Sequence, residues 1–277
     1  MTEPSKLPGV NVLIEGVTGS GKTHSIGTLV ECVPRVVFFA YESGVESLRG
    51  YWTDRGKPVP ANLHICTVAA AAASWNDMAD AVKQVNQLSY ELLKKSVDPG
   101  RSKYDQFEKF LRNFAKCKTD AGVELGPVNS WSTDTALVID GLTGLGDAAM
   151  KCVIGGKMDR DQKDWGLAQN MIENTLRKLC DECRCHFVLL SHVEREADPL
   201  GGTAKITVST LGAKLAPKIP PMFSDVALAK RFNKDWFWDT VDPTADLKAR
   251  NLPWEAKIKP DFATIIDKWK SRGGVLA

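Results

Sequence analysis

The sequence predicts an α/β fold, a mostly parallel central sheet flanked by helices. Five short runs are apolar without alternation, as in strands buried on both faces. Segments of helical periodicity lie between them, and strands that alternate with helices build a doubly wound sheet. The length, 277 residues, suits a single domain over 1–277 that carries an insertion.

The run VNVLIE at 10–15 opens the sheet, and Lys22 to Cys32 reads as the helix that follows it. RVVFFAY at 35–41 and NLHICTV at 62–68 supply the next two strands. About sixty-five residues then precede the fourth strand, more than one crossover needs, so a helical insertion is expected at about 70–130. Within it, Ala69 to Ala73 leads into a helix over Ser74 to Lys95, and a second helix covers Lys103 to Lys116. Asp98-Pro99-Gly100 separates the two. TALVID, ending at Asp140, is the fourth strand. Trp165 to Glu182 is a helix with Leu167, Met171, Leu176 and Leu179 on its apolar face, and HFVLLSH at 186–192 is the fifth strand. Glu194 to Thr210, which contains Asp198-Pro199-Leu200-Gly201-Gly202, reads as a flexible loop. Residues from about 233 to 277 form a C-terminal strand and helix extension.

With 43% hydrophobic and 25% charged residues, the composition excludes a disordered or collagen-like chain. Lys and Arg number 36 against 34 Asp and Glu, so any nucleic-acid surface has to be a local patch. The first residues lack the apolar stretch of a signal peptide, and nowhere do eighteen apolar residues run together, so a cytoplasmic chain without a membrane partner is expected. Seven cysteines, an odd number scattered among strands and helices, suit reduced thiols. Cys180, Cys183, Cys185 and His186 are spaced too tightly for a zinc site and cross from helix to strand; buried free thiols are the expectation.

The chemistry starts at Gly16-Val17-Thr18-Gly19-Ser20-Gly21-Lys22-Thr23, which fits G-x-x-x-x-G-K-[ST] between a strand and a helix. Its glycines allow a tight loop whose N–H groups face phosphate oxygens, Lys22 reaches the β and γ phosphates, and Thr23 offers a hydroxyl to Mg²⁺. Nucleotide binding with ATP and Mg²⁺ as ligands follows. Asp140, closing an apolar strand, is the Walker B candidate for the same metal. Position 141 is Gly, so the base that activates water comes from elsewhere. Glu42, at the carboxyl end of the second strand, is the candidate, with a helix-capping role as its alternative and Glu46 as the fallback.

These residues resemble the RecA-like P-loop ATPases: a phosphate loop, a glutamate closing the next strand, a strand ending in Asp140 and a later one ending in the polar His192. More closely, LIEGVTGSGKT, FAYESGVESLRG, LVIDGLTGL, LLSHVERE and DPTADLKARNLP resemble the short RecA-core ATPases of bacteriophages that act with single-strand annealing. The likeness runs from about Val10 to Trp269. It implies a RecA-like core, phage origin and a host bacterial cytoplasm. It also implies that Glu42 polarises the attacking water and that His192 stands where the family keeps a polar sensor, a place the larger recombinases give to glutamine. Histidine there adds titration near neutral pH, with a buried, backbone-bonded imidazole as the structural alternative.

From Gly201 to Phe232 stand five cations, Lys205, Lys214, Lys218, Lys230 and Arg231, against the single acid Asp225. Lys205, Lys214 and Lys218 are the DNA-binding candidates, able to neutralise phosphates without base specificity. Lys230 and Arg231 are nominated to act in trans on the γ-phosphate of a neighbouring copy, which implies a homo-oligomer, ring or filament. Trp236 and Trp238 share one face of a strand and either pack in the core or stack on bases. The leading expectation is a DNA-stimulated ATPase that binds single-stranded DNA and promotes annealing or strand pairing, with a single-strand-binding protein as possible partner. Its rivals are a helicase-loader-like ATPase acting on a protein, a nucleotide-dependent scaffold with little turnover, and a small-molecule kinase or GTPase. The last is disfavoured because Asn233-Lys234-Asp235-Trp236 misses N-K-x-D by one position.

Overall fold

The computed structural model describes residues 7–41, 44–68, 75–76, 79–80, 83, 105–155, 160–196, 202 and 204–277. In chain order its elements are β1 (Asn11–Gly16), α1 (Lys22–Cys32), β2 (Arg35–Ala40), α2 (Val45–Thr53), β3 (Leu63–Thr67), α3 (Gln106–Ala115), β4 (Cys117–Lys118), β5 (Glu124–Gly126), β6 (Thr135–Asp140), α4 (Leu142–Ile154), α5 (Gln162–Glu182), β7 (His186–Ser191), β8 (Val193–Glu196), β9 (Lys205–Val208), β10 (Asp225–Phe232), β11 (Asp235–Asp239), β12 (Lys248–Ala249) and α6 (Phe262–Ser271). The main sheet has the order β11-β10-β1-β7-β6-β2-β3, with β12 also on β10. Pairing is parallel from β3 through β10 and antiparallel at β11 and β12. This is the expected α/β architecture. All five apolar runs are strands; β6 and β7, in the middle of the sheet, are buried at every residue, while β3 at the edge is only partly covered.

One face of the sheet, with Val12, Ile14, Val36 and Phe38, packs under Ile26, Leu29 and Val30 of α1, Leu48 and Trp52 of α2, and Ile265 and Ile266 of α6. The other, with Leu13, Val37, Phe39 and Leu189, packs under Phe107 and Phe110 of α3, Leu145 and Ala149 of α4, and Ile172 and Leu176 of α5. α1 stops at Cys32 because Val33 precedes Pro34 and is forced into extended backbone (φ −120°, ψ 136°). α5 starts on a capping box between Asp161 and Asp164. Its buried stripe is Ala168, Ile172, Leu176 and Leu179, while Leu167 is exposed, so the apolar face lies one position off the expected one at its N-terminal end.

Of the insertion, the helix expected over Ser74 to Lys95 lies outside the described residues apart from isolated positions, and Asp98-Pro99-Gly100 lies wholly outside them. The second helix is α3. It is followed by the β4–β5 hairpin, which Asp120 fastens to the edge strand β3 by accepting from Thr67 N and Oγ1 (2.9 and 2.6 Å). At the sheet's N-terminal edge Pro8 and Gly9 meet the core together with Trp269 and Val275. Trp269 Nε1 donates to Pro8 O (2.9 Å), Gly9 N to Arg184 O (2.8 Å) and Thr133 Oγ1 to Val275 O (2.6 Å). All seven cysteines are free thiols. No described helix is long and apolar enough to cross a membrane.

The segment expected as a flexible loop, Glu194 to Thr210, is instead a β-hairpin at its base. β8 and β9 pair antiparallel from Val193↔Val208 to Glu196↔Lys205. Asp198 to Gly201, the centre of the expected loop, lie outside the described residues, so the difference concerns its two flanks, which form the ladder. The hairpin is held from the side: Ile206 N donates to Thr244 O (2.7 Å), and Lys205 pairs with Asp246 at 2.9 Å.

Candidate active site

The loops after β1, β2, β6 and β7 converge at the carboxyl edge of the sheet, where parallel α/β sheets leave a crevice. β1 ends at Gly16, where a side chain has no room: a Cβ would stand 2.5 Å from the Ala229 carbonyl of β10. The chain then turns through Gly19 (φ 77°) and Gly21 (φ 83°), left-handed conformations that favour glycine. α1 begins at once, with no side chain capping its first amides and no acid in its first turn. Those N–H groups and the positive end of the helix suit an anion.

The resulting cleft encloses about 660 Å³ and is lined by Thr18 to His24, by Gly44, Glu46 and Ser47 after β2, and by Asp140, His192 and Trp236. Lys22 is buried, and its Nζ donates to the carbonyls of Gly16 (2.8 Å) and Val17 (3.0 Å), which holds the cation inside the loop. Thr23 Oγ1 donates to Asp140 Oδ2 at 3.0 Å, so the last residue of the phosphate loop and the end of β6 meet across 117 positions of sequence. Ser20 Oγ, also buried, has no hydrogen-bond partner among the described residues. Gly44 presses on this pair: a Cβ there would lie 2.2 Å from Asp140 Oδ2 and 3.2 Å from Thr23 Cγ2. An uncharged hydroxyl beside a carboxylate is a donor set of hard oxygens, which fits Mg²⁺.

His192 sits directly after β7, half-buried in the cleft wall, and its carbonyl accepts from Ser209 N (2.7 Å) where the hairpin returns. Glu42 lies outside the described residues; β2, which it follows, pairs Ala40 with Asp140 of β6. Glu46 stands in the first turn of α2, on the cleft.

The cations are less alike than their sequence suggests. Lys230 donates to Asp239 Oδ2 (2.8 Å) and Asp242 Oδ2 (2.5 Å). Burial works against its charge, but these two carboxylates outweigh that and hold its pKa above the ordinary value; Asp242 in turn is pulled down to about 2, against burial, by bonds from Lys230 and Thr244. Arg231 is exposed at the end of β10, with Nε on Asn233 O (3.0 Å). Lys218 pairs with Glu173 at 2.7 Å and Lys205 with Asp246, while Lys214 is exposed between two short 3-10 turns and the hairpin. The structure thus gathers Gly16 to Thr23, Asp140 and His192 in one cleft and leaves Lys205, Lys214 and Lys218 around the hairpin instead.

Two residues stand at the site where the sequence had not placed them. Trp236 lines the cleft from β11, while Trp238, on the same face, is fully buried in the core. Glu15, next to last in β1, is buried beside Ser191 of β7, and one of its oxygens has no partner among the described residues. Burial, and then the charge of Asp246, push its carboxyl up to about 8. A polar residue inside an apolar strand is the only signal that could have marked it. His186 is buried with Nδ1 accepting from Val10 N (3.1 Å), and burial lowers its pKa to about 4. Among the described residues no group of three His, Cys, Asp or Glu is placed to hold a metal ion by itself.

A family model described as an AAA domain matches residues 9–252. No curated protein matches the sequence. Among solved structures the chain is similar to the ATPase EscN, in complex with its central stalk EscO from the enteropathogenic E. coli type III secretion system, at 10% identity and TM-score 0.34, covering 80% of this chain and 42% of EscN. It is also similar to the flagellar accessory protein FlaH from Methanocaldococcus jannaschii, at 8% identity and TM-score 0.36, over 84% and 78% of the two chains. The chain therefore spans about two fifths of EscN.

Proposed function

We propose that this chain, which belongs to the AAA domain family and is a P-loop ATPase, couples ATP hydrolysis to binding single-stranded DNA and promoting annealing or strand pairing in bacteriophage recombination. The ATPase reading rests on one observation above all, the 3.0 Å contact of Thr23 with Asp140 at the mouth of a complete phosphate loop. In the proposal, the amides of Gly19 to Thr23 and the Lys22 ammonium cradle the β and γ phosphates. Thr23 and Asp140 would hold Mg²⁺, which neutralises charge on the phosphoryl oxygens. Glu42 takes the proton of the attacking water, and His192 senses the γ-phosphate from the foot of the hairpin. Arg231, and Lys230 once released from Asp239 and Asp242, act on the site of a neighbouring copy in a ring or filament. The DNA surface is the β8–β9 hairpin with Lys205, Lys214 and Lys218, in the cytoplasm of an infected bacterium and alongside a single-strand-binding protein.

A second reading has an observation in its favour. Lys205 and Lys218 already have carboxylate partners, and the hairpin carries exposed Glu194 and Glu196 beside Arg195. A mixed-charge hairpin suits a protein partner, as in a helicase-loader-like ATPase. Steady-state ATP hydrolysis with and without single-stranded DNA separates the two, with duplex DNA and Lys22→Ala as controls. Stimulation by single strands alone, lost in Lys22→Ala, is the expected result. Hydrolysis indifferent to DNA would leave the ATPase standing and transfer the partner to a protein.

A further inference from the structure

We propose that Trp236 is a positioning residue for the phosphate loop: its indole, delivered from β11, clamps the Gly19–Gly21 backbone in the form that receives phosphate. Trp236 Nε1 donates to Gly19 O at 3.2 Å, and the indole ring lies over Gly21, 2.9–3.0 Å from where a Cβ would stand. Both glycines have positive φ, so the loop is held in a shape that an unsupported backbone leaves readily. A Cβ at Gly19 would meet nothing within 4 Å among the described residues, so that side of the loop is open, and the tryptophan hydrogen bond reaches it there.

Strand geometry explains how the clamp is aimed. Side chains two apart on β11 share a face; Trp238 is fully buried in the core, while Trp236, 40% exposed, is carried past the core to the loop. β11 is itself fixed by Lys230 on Asp239 and by the backbone bridge of Trp238 to Ile258. The indole also meets His24, the residue after the loop, at 5.0 Å between ring centroids, and His24 meets Tyr51 of α2 at 5.1 Å. An aromatic row therefore ties the outer wall of the loop to β11 on one side and α2 on the other. A partly exposed tryptophan with its N–H spent on a loop carbonyl gains little from core burial; its contacts serve the loop.

The inference rests on the nucleotide-binding reading, and two measurements keep the failures apart. The first needs no ligand. In the free protein, amide hydrogen exchange over residues 17–22 is expected to speed up about tenfold in Trp236→Ala, with β1 unchanged. The second compares affinities for Mg²⁺-ATP and for Mg²⁺-tripolyphosphate, which lacks a base, by titration calorimetry. Trp236→Ala is expected to weaken both by about tenfold, and Trp236→Phe, which keeps a ring but loses the donor, by about threefold, the worth of one hydrogen bond. In turnover the loss is expected to fall more on KM for ATP than on kcat, the split of a residue that shapes the phosphate seat and does not touch the reacting atoms. Unaltered exchange in the loop overturns the clamp. So does a loss confined to ATP, which would make Trp236 a base-stacking residue. A parent chain that binds neither ligand would sink the nucleotide reading, while the exchange result still decides the clamp.

Discussion

At the scale of single residues, the site turns on groups whose neighbours leave them little freedom. Gly44 has ordinary helical backbone (φ −72°), so alanine there adds no strain; its only effect is a methyl driven against Asp140 and Thr23. Gly44→Ala is expected to lower ATP turnover about tenfold or more and to raise the Mg²⁺ concentration needed for half-maximal rate. An unchanged Mg²⁺ titration would separate Asp140 from the metal. Glu15 makes a pH prediction. The folded chain keeps its proton up to about pH 8 and the unfolded chain releases it near 4.5, so the folded state binds more protons between those values. Stability therefore falls as pH rises through that window. Glu15→Gln is expected to flatten the decline in urea-unfolding free energy and to exceed the parent at about pH 8; parallel profiles would assign the titration to another group. The phosphate loop was legible because its residues are contiguous and each has a local task. The contacts that Gly44, Glu15 and Trp236 make were not, because their partners come from segments distant in sequence.

At the scale of elements, the strands were the most legible feature. A run covered on both faces has no polar alternation, and VNVLIE, RVVFFAY, TALVID and HFVLLSH each became a strand with ends within a residue or so of those expected. The α5 stripe moved by one position because Ala168, small and uninformative by hydropathy, fits beneath the helix where the larger Leu167 points outward. The flanks of the segment expected as a loop pair as β8 and β9, and Ile206 of β9 also bridges to Ala245, a contact from distant sequence that local composition does not encode. The β10–β11 hairpin has its own lock in Lys230. Removing that ammonium leaves Asp239 and Asp242 close together without their cation. Lys230→Ala is expected to cost about 1–3 kcal/mol in chemical denaturation, discounted for its partial exposure. A cost near zero would mean solvent carries the two acids unaided.

For the whole molecule, near-neutral net charge conceals a division between paired and exposed cations. Salt dependence reads that division directly. If single-stranded DNA lies along the hairpin, Lys214→Glu is expected to weaken binding and to flatten the dependence of log K on log salt by about 0.7, the share of one phosphate contact on a single strand. An unchanged slope would remove this face from the DNA surface. The sheet order also decides what is near what. β1 sits between β7 and β10, so the loop that grips phosphate shares its supporting strand with the hairpin on one side and with the β11 clamp on the other. The opposite edge holds Pro8 against Trp269 and Val275 against Thr133. A dye attached at the exposed Val275 therefore stands across the sheet from the cleft, and its emission should stay unchanged as ATP binds.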